Sequence, residues 1–309
     1  MSLYLVTGGA GFIGSNIVKE LIYRGERVRV LDNFSTGKRE NLAPFREHID
    51  FEMVEGDVRS YHIVRDSVKG VDYILHQGAL PSVPRSVKDP ITTNEVNING
   101  TLNVLEAARE VNVKRVVFAS SSSVYGNSET LPKEENMPVA PLSPYALTKY
   151  AGERYCQVFY KLYGIETVAL RYFNVFGPNQ DPTSQYSAVI PKFIKMMKEG
   201  RSPVIYGDGT QSRDFTYVSN NVEANLLACT TPGIGGEVFN IACGERFTLL
   251  DLVNSINMLL NTNIQPVFEA KRLGDVEHSL ASIDKAKELL KFKVNTGFLE
   301  GLKKLIHNN

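Results

Sequence analysis

A glycine-rich turn near the start of the chain is the feature that most constrains its fold. Residues 7–14 read TGGAGFIG, directly after the first apolar run, and a helical pattern follows them. The spacing fits both G-x-G-x-x-G (from Gly9) and G-x-x-G-x-x-G (from Gly8), each ending at Gly11 and Gly14. Such glycines permit a tight turn and let backbone N–H groups approach a pyrophosphate at a helix N-terminus. Glycine turns are common, but one between a strand and a helix predicts a dinucleotide site.

Apolar strand patterns alternate with helical patterns through the first half of the chain. The predicted strands cover residues 3–6, 28–31, 51–54, 73–75, 116–119 and 168–170. The predicted helices cover residues 15–23, 62–68, 96–112 and 143–163. Several strands are almost continuously apolar, which is typical of parallel strands covered on both faces. The alternation predicts a Rossmann-type α/β fold with a doubly wound parallel sheet.

The pattern changes after Asn174. Residues 177–182 (GPNQDP) indicate a loop, a helix follows near 188–199, and a strand near 238–241 precedes a helix at 248–260. This mixture predicts a smaller α+β C-terminal substrate domain, with a cleft between it and the larger domain. We expect the dinucleotide-binding domain to comprise 1–173 plus about 214–242, and the substrate domain to comprise about 174–213 plus 243–309.

Charge and hydropathy argue against several classes of function. The 34 Lys and Arg residues balance the 34 Asp and Glu residues, so no strongly basic nucleic-acid surface is expected as a global feature. No apolar stretch approaches the length of a membrane span, and no leader pattern precedes the first strand. The three cysteines and five histidines show no metal-ligand spacing. We therefore expect a cytoplasmic protein that binds no nucleic acid, membrane or metal.

Acidic residues at the ends of two predicted strands indicate which dinucleotide is bound. Asp32 ends the second strand, and its carboxylate can accept hydrogen bonds from an adenosine ribose and repel a 2′-phosphate. No arginine directly follows Asp32, so the pattern favours NAD over NADP. Asp57 and Val58 follow the third strand and can hold the adenine amino group and ring. The alternative for each is an ordinary residue at a strand end or in a loop.

Tyr145 and Lys149 form a Y-x-x-x-K pair at the start of a predicted helix. Residues four apart share a helix face, so the ammonium can lower the pKa of the phenol and make it a general base. The pattern is frequent by chance, and alone it indicates only a surface pair. Four serines at 120–123 end the fifth predicted strand, at the sheet edge where such folds bind ligands. A serine hydroxyl there can bind the substrate oxygen that the tyrosine deprotonates.

These motifs together resemble the extended short-chain dehydrogenase/reductase superfamily. The resemblance covers essentially the whole chain and rests on TGGAGFIG, Asp57, Ser121, the Tyr145–Lys149 pair and RYFNVFGP. The stretches HQGALPSVPRSVKDPITTN, LSPYALTKY, GDGTQSRDF and GDVEHSLASIDKAK are most similar to nucleotide-sugar 4-epimerases, especially UDP-N-acetylglucosamine 4-epimerases of bacterial polysaccharide pathways. One departure is Gly78, where relatives often carry Ala in H-x-A-A, and we expect it to have no effect.

The resemblance implies a set of NAD-binding residues and three catalytic roles. The cofactor set is Gly8, Gly11, Phe12, Ile13, Gly14, Asp32, Asn33, Ser35, Thr36, Gly37, Asp57, Val58, Gln77, Gly78, Ala79, Asn97, Tyr145, Lys149 and Phe173. Tyr145 is implied to take the proton from the sugar 4-OH while C4 gives a hydride to NAD. Lys149 is implied to lower the pKa of Tyr145, and Ser121 to bind the sugar 4-oxygen.

The fate of the 4-keto sugar separates the activities within the superfamily. Sugar 4,6-dehydratases carry an Asp-Glu pair just after the catalytic Ser or Thr, and UDP-glucuronate decarboxylases usually have a glutamate at the second of these positions. This chain has Ser122 and Ser123 there. Without an acid, the keto sugar is expected to turn over and take the hydride back on its other face, which favours 4-epimerisation. A non-catalytic dinucleotide-sensing regulator is an alternative of another class, although such proteins typically lose the Tyr or Lys.

The resemblance also implies a UDP-sugar site in the C-terminal domain. The guanidinium groups of Arg213 and Arg272 suit a dianionic diphosphate, although each alone is more often part of a surface ion pair. The implied substrate set is Ser121, Ser122, Tyr145, Asn174, Ala188, Val189, Tyr206, Arg213, Arg272, Asp275 and Ser279.

Sugar choice is expected to depend on Ser279. Glucose-restricted epimerases that resemble this chain carry a tyrosine seven residues after the arginine that matches Arg272, and this chain has Ser279 there. The smaller side chain leaves room for a 2-acetamido group. We therefore expect UDP-GlcNAc/UDP-GalNAc to be accepted, and UDP-Glc/UDP-Gal as well. The alternative is a Ser279 that merely faces solvent.

Relatives pair the helices near 96–112 and 143–163 into a four-helix dimer interface, so the resemblance implies a homodimer. An apolar stripe of Leu102, Leu105, Phe159 and Leu162 is compatible with that interface. The same stripe is equally compatible with packing against the sheet.

Overall fold

Strands and helices alternate along most of the chain in the computed structural model, which describes residues 1–181, 189–271 and 277–307. The strands are β1 (Leu3–Thr7), β2 (Arg27–Asp32), β3 (Phe51–Glu55), β4 (Tyr73–His76), β5 (Arg115–Ser121), β6 (Thr167–Tyr172), β7 (Val175–Phe176), β8 (Val204–Tyr206), β9 (Ser212–Arg213), β10 (Thr216–Tyr217), β11 (Val238–Ile241), β12 (Phe247–Thr248) and β13 (Val267–Glu269). The helices are α1 (Phe12–Tyr23), α2 (Tyr61–Ser67), α3 (Val83–Lys88), α4 (Pro90–Asn94), α5 (Gly100–Glu110), α6 (Pro144–Tyr163), α7 (Val189–Lys198), α8 (Val218–Thr230), α9 (Leu249–Leu260), α10 (Asp284–Leu289) and α11 (Phe298–His307).

Seven parallel strands form the central sheet, in the order β11-β6-β5-β4-β1-β2-β3. Leu3 of β1 lies opposite Arg27 of β2, and Tyr4 lies opposite Tyr73 of β4 on the other side. The chain therefore winds outward in both directions from β1, which opens a crevice at the carboxyl ends of the strands. The predicted doubly wound α/β class is confirmed, and each strand predicted in the first half lies within an observed strand.

The helical region before β5 begins earlier than the pattern predicts. Two short helices precede residue 96, and a π-helical segment, Glu95–Asn99, joins α4 to α5. Ser82 and Asp89 cap α3 and α4 by accepting hydrogen bonds from the Arg85 and Thr92 amides, and each helix has a proline in its first turn. These caps divide a region that apolar periodicity alone treats as a loop followed by one helix.

Apolar side chains from the helices cover both faces of the sheet. α1 and α8 pack on one face, and α5 and α6 pack on the other. Leu105 and Phe159 of the predicted dimer stripe are buried in this second layer. Leu162 is 70% exposed and Leu102 is half-buried, so the stripe divides between the core and the surface.

The smaller C-terminal region has its own apolar core, between α7, α9 and α11. Phe298 stacks on Phe247 and Phe215, with ring centroids 4.2 and 5.4 Å apart. Short strand pairs hold this region together: β7 with β10 and β8 with β13 are parallel, and β9 with β12 is antiparallel. Two residues of the predicted substrate set lie on these pairs, Tyr206 in β8 and Arg213 in β9, and the exact boundaries of the two domains stay a prediction.

Candidate active site

Hydrogen bonds between backbone atoms hold the glycine turn that connects β1 to α1. The Gly8 amide donates to the Leu31 carbonyl at 2.8 Å, and the Gly11 amide donates to the Gly8 carbonyl at 3.1 Å. Gly8 has φ +67°, and a Cβ on Gly14 would lie 2.2 Å from the Gly8 carbonyl oxygen. A side chain is thus excluded at Gly8 and Gly14, where the backbone of the turn meets the cleft. This cradle fits the pyrophosphate of a dinucleotide.

Asp32 lies at the carboxyl end of β2 and lines the cleft. Its carboxylate accepts hydrogen bonds from the Ala10 amide at 2.9 Å and the Phe34 amide at 2.8 Å. Burial raises the pKa of Asp32, and these two hydrogen bonds oppose the shift. The turn thus holds the carboxylate where the ribose of a bound dinucleotide is expected.

The cleft has a volume of about 630 Å³ and runs along the carboxyl edge of the sheet. Most of the predicted cofactor residues line it: Gly8, Gly11, Phe12, Ile13, Gly14, Asp32, Asn33, Ser35, Thr36, Val58, Gln77, Gly78, Ala79, Tyr145 and Lys149. A glycine cradle, a buried carboxylate at the end of β2 and a cleft of this volume together fit NAD.

Four predicted cofactor residues are not among those that line the cleft. Gly37 packs so closely on the glycine turn that a Cβ there would lie 2.8 Å from Ala10. The Asp57 carboxylate accepts a hydrogen bond from the Asn33 side-chain amide. The Arg59 guanidinium beside Asp57 lowers the pKa of that carboxyl to about 2. The side chain of Phe173 is buried beside Tyr125, and Asn97 is buried as well.

Several residues that line the cleft were not predicted. They are Leu31, Lys38, Asn41, Gly56, Leu80, Pro81, Ser82, Arg85, Val96, Ala119, Ser120, Tyr172, Asn179, Gln180 and Asp181. Asn179 donates to the Ser15 hydroxyl at 2.9 Å, and Lys38 pairs with Asp181 at 3.0 Å. The GPNQDP stretch indicates a turn in the sequence, but nothing local indicates that the turn packs against α1.

The structure brings Tyr145, Lys149 and Ser121 together at one end of the cleft. Ser143 caps α6 by accepting a hydrogen bond from the Ala146 amide, so Tyr145 begins the first turn of the helix. Lys149 donates to the Ala119 carbonyl at 2.8 Å, next to the end of β5. Ser121 ends β5 and makes a side-chain hydrogen bond with Tyr145.

Burial controls the ionisation of the two α6 residues. It raises the pKa of Tyr145, against the opposing hydrogen bond from Ser121. It lowers the pKa of Lys149 to about 8. The Lys149 ammonium lies 5.9 Å from the centre of the Tyr145 ring. The predicted lowering of the Tyr145 pKa is therefore not seen in the protein alone, because desolvation of the phenol outweighs the hydrogen bond with Ser121.

The serines after Ser121 begin a short 3₁₀ segment, Ser122–Tyr125. Asp32 and Asp181 are the two carboxylates among the described residues that line the cleft. Asp32 lies at the end of β2, and Asp181 pairs with Lys38. The part of the cleft beside Tyr145 therefore has a phenol, an ammonium and serine hydroxyls, but no described carboxylate.

A second pocket of about 300 Å³ contains part of the predicted substrate set. Asn174, Val189, Tyr206 and Arg213 line it, together with Lys192 and Gln211, which were not predicted. Ala188, Arg272 and Asp275 lie outside the described residues.

Ser279 lies beside this pocket and is 9% exposed. Its hydroxyl accepts a hydrogen bond from the Asn174 side-chain amide at 3.3 Å, and its own amide donates to the Ser212 carbonyl. The alternative in which Ser279 merely faces solvent is therefore wrong.

Residues 4–242 match the model of the NAD dependent epimerase/dehydratase family. The chain belongs to this family. NAD is the cofactor of the family, and the glycine cradle, Asp32 and the cleft described above fit it. The predicted resemblance to the extended short-chain dehydrogenases is confirmed.

Members of the family with known activities match almost the whole chain. A UDP-glucose 4-epimerase of Mycolicibacterium smegmatis is 37% identical over 309 residues, covering 98% of this chain and 96% of the relative. The structure of a UDP-N-acetylglucosamine 4-epimerase of Methanobrevibacter ruminantium M1, in complex with UDP-N-acetylmuramic acid, is 42% identical, with a TM-score of 0.94 and coverage of 99% and 97%. A UDP-glucuronic acid 4-epimerase of Bacillus cereus, in complex with UDP-glucuronic acid and NAD, is 32% identical, with a TM-score of 0.91 and coverage of 99% and 98%.

The helices of this family member are too short or too polar to cross a bilayer, as far as residues 1–181, 189–271 and 277–307 show.

Proposed function

We propose that the protein is an NAD-dependent 4-epimerase of UDP-sugars that interconverts UDP-GlcNAc with UDP-GalNAc and UDP-Glc with UDP-Gal. One observation carries the proposal: Tyr145 and Lys149 line a dinucleotide cleft, Ser121 makes a hydrogen bond with Tyr145, and no described carboxylate lines the cleft beside them. The epimerase activities of relatives that match 98–99% of the chain support it.

Each of the three side chains has one task in this reaction. When bound in the cleft, NAD would supply the acceptor for the hydride of the sugar C4 and the donor for its return. Tyr145 removes the proton from the 4-OH and gives it back, and Ser121 hydrogen-bonds the same oxygen. Lys149 supplies a positive charge beside the phenol, which the buried Tyr145 needs in order to ionise near neutral pH. The charge of an oxidised nicotinamide acts in the same direction.

The serines at 122 and 123 argue against the two other reactions of the family. Elimination of water requires an added acid and base near C5 and C6, and Ser122 and Ser123 have neither function near neutral pH. Decarboxylation of a uronate is disfavoured by the missing glutamate at position 123. A non-catalytic sensor is disfavoured because both Tyr145 and Lys149 are present and face the cleft.

We infer that the pocket around Asn174 and Ser279 binds the nucleotide-sugar. Asn174 links the pocket wall to the Ser279 hydroxyl, so the position that a tyrosine occupies in glucose-restricted epimerases lies one hydrogen bond from the predicted substrate contact. A serine there removes steric exclusion without adding an attraction. The smaller residue therefore supports acceptance of both sugar pairs rather than exclusive use of the N-acetylated one.

An NMR time course tests the proposed function. The protein is incubated with NAD and, in separate tubes, with UDP-GlcNAc, UDP-Glc and UDP-glucuronate, without added reductant. We expect the matching galacto sugar to accumulate to equilibrium with no net NADH. A stable 4-keto product, release of carbon dioxide from UDP-glucuronate, or an unchanged spectrum would instead support a dehydratase, a decarboxylase or a non-catalytic binder.

We also propose that the protein is a homodimer, paired through α6 and the helices before β5. Ile91 of α4 and Leu147 and Leu162 of α6 are exposed, and α4 packs against α6. Light scattering should give a dimer at micromolar concentration, and the double variant Leu147→Glu/Leu162→Glu should be a monomer. A monomeric wild type would contradict the proposal.

A further inference from the structure

A histidine is buried directly beneath the cleft. His76 ends β4, is 1% exposed and lies between β1 and α5. Two threonine hydroxyls bracket its ring: Thr7 Oγ1 lies 2.6 Å from Nδ1, and Thr101 Oγ1 lies 3.0 Å from Nε2. Thr7 is the last residue of β1, immediately before the glycine turn. The ring therefore lies between the strand that leads into the cofactor cradle and the helix on the other side.

The hydrogen-bond partners determine which tautomer the ring adopts. The Thr101 hydroxyl donates its single hydrogen to the Asn97 carbonyl at 2.6 Å, so its oxygen must accept from His76 Nε2–H. A neutral imidazole has one N–H, so Nδ1 must accept the Thr7 hydroxyl hydrogen. The Thr7 oxygen in turn accepts the Gly78 amide hydrogen at 3.1 Å. Every donor in this series of hydrogen bonds then has one acceptor.

Asn97, whose backbone carbonyl accepts from Thr101, is linked through its side chain to the catalytic helix. The Asn97 side chain accepts from the Leu80 amide at 2.8 Å and donates to Thr148 Oγ1 at 3.0 Å. Thr148 Oγ1 donates to the Tyr145 carbonyl at 2.8 Å. These hydrogen bonds therefore join the loop at residues 78–80, which lines the cofactor cleft, to the first turn of α6.

The surroundings of His76 keep the ring neutral. The Phe118 ring lies 5.8 Å from it, and the Lys149 ammonium lies 5.1 Å from the Phe118 ring centre. Burial and the charge of Lys149 lower the pKa of His76 to about 3. A ring that does not ionise in the working range has no part in proton transfer, but it holds its hydrogen bonds in a fixed direction.

We propose that His76 is a positioning residue: its Nε2–H tautomer couples the loop at residues 78–80 to the turn of α6 that carries Tyr145. The inference rests on the proposed function, in which Tyr145 is the base. Misplacement of a base reduces turnover more than it reduces affinity. Loss of the coupling should therefore lower kcat and leave the KM for the UDP-sugar nearly unchanged.

The tautomer can be observed directly in the wild-type protein with NAD. Nitrogen-15 labelling of histidine side chains distinguishes Nε2–H, Nδ1–H and imidazolium forms by NMR, and loss of a signal in His76→Gln assigns the resonance. We expect the Nε2–H form, unchanged from mildly acidic to mildly alkaline pH. An Nδ1–H tautomer, or an imidazolium near neutral pH, would overturn the proposal.

Two substitutions of His76 each retain one of its two hydrogen bonds to the threonines. In His76→Gln the terminal amide nitrogen can replace Nε2 as donor to Thr101, whereas in His76→Asn the side-chain oxygen can replace Nδ1 as acceptor for Thr7. We expect kcat to fall about 10-fold in His76→Asn and less than about 3-fold in His76→Gln, with KM within about 2-fold in both. Equal losses in the two variants, or a loss that appears in KM, would indicate a merely structural role.

Thr101→Val provides a matched test of the hydrogen bond between His76 and Thr101, because it removes the hydroxyl at nearly constant volume. If His76 acts through Thr101, the double variant His76→Asn/Thr101→Val should lose no more kcat than either single variant. Additive losses would overturn the proposal. If His76→Asn does not fold, the tautomer measurement and Thr101→Val still decide the question.

Hydrogen exchange separates this inference from the proposed function. The Leu80 amide should exchange faster in Thr101→Val and His76→Asn than in His76→Gln, whether or not the wild type epimerises a UDP-sugar. Unchanged exchange at Leu80 in an active enzyme would remove the role of His76. Faster exchange in a protein without epimerase activity would remove the proposed function alone.

Discussion

The cofactor cleft and the substrate pocket are built in different ways. The cleft follows the carboxyl ends of adjacent parallel strands, and its closest approaches involve backbone atoms such as the Gly8 carbonyl. The pocket is lined by side chains that are far apart in the sequence, including Asn174, Tyr206 and Arg213, on short strand pairs or at their ends. A site built from the backbone tolerates little change, whereas a site built from side chains can be tuned one residue at a time.

The largest effect is expected from a methyl group in the cradle. Gly14→Ala places a Cβ 2.2 Å from the Gly8 carbonyl oxygen, so either the turn or the helix must move. We expect loss of bound NAD, loss of activity and a decrease in the free energy of unfolding of about 3 kcal/mol or more. NAD content after purification and a denaturant titration measure these effects.

Gly297→Ala is the matched control, because no atom lies within 4 Å of the Cβ it adds. It should retain NAD and activity. If Gly14→Ala also retained both, the cradle would not have the rigidity that distinguishes the two sites.

The next largest effect is expected where the two sites meet. Tyr145→Phe removes one oxygen and keeps the ring, so the fold and NAD binding should persist while kcat falls about 1,000-fold. Tyr150→Phe, one turn further along α6 and outside the cleft wall, should retain full turnover. An equally active Tyr145→Phe would contradict the assignment of Tyr145 as the base.

A change in the substrate pocket should alter selectivity instead of stopping the reaction. Ser279→Tyr adds a phenol beside Asn174, and kcat/KM for UDP-GlcNAc should fall about 10- to 100-fold more than kcat/KM for UDP-Glc. Ser279→Ala adds no bulk and should keep the wild-type ratio. If Ser279→Tyr lowered both values equally, the pocket would be no more tunable than the cleft.

The smallest effect concerns pH. The pKa of Lys149 is lowered to about 8, so its charge is lost as pH rises through that value and kcat should decline there. Lys149→Arg keeps a positive charge, and the decline should move to higher pH even if its maximum rate is lower. Turnover measured from neutral to alkaline pH decides this. The same decline in both proteins would assign it to another group.

The lowered pKa of Lys149 also makes a prediction about stability. The folded state disfavours the charged form relative to the unfolded chain, where the pKa is 10.5. This destabilisation is present below about pH 8 and is relieved as pH rises from there towards 10.5. Lys149→Met should therefore increase the free energy of unfolding near neutral pH, by up to about 3 kcal/mol, while it lowers activity. An unchanged or lower stability would contradict the pKa shift.

Much of the cofactor half could be predicted because its signals are local. The glycine spacing, the acidic end of β2 and the apolar runs are each contained in a few residues, and the parallel sheet places the ends of those runs side by side. The i, i+4 pair of Tyr145 and Lys149 likewise follows from helix geometry alone. The predicted start of the helical region before β5 was wrong, because Ser82 and Asp89 cap two short helices that apolar periodicity does not reveal.

The sequence by itself determined the fold class, the cradle for the dinucleotide and the residues whose chemistry suits a hydride-transfer site. Only the tertiary structure showed that Asn179 and Asp181 line the cleft, that Ser279 bonds Asn174 and that His76 bonds both Thr7 and Thr101. It also showed that burial raises the pKa of Tyr145 against the hydrogen bond with Ser121. Local patterns report the backbone conformation, whereas contacts between distant residues and the desolvation of a side chain exist only once the chain has packed.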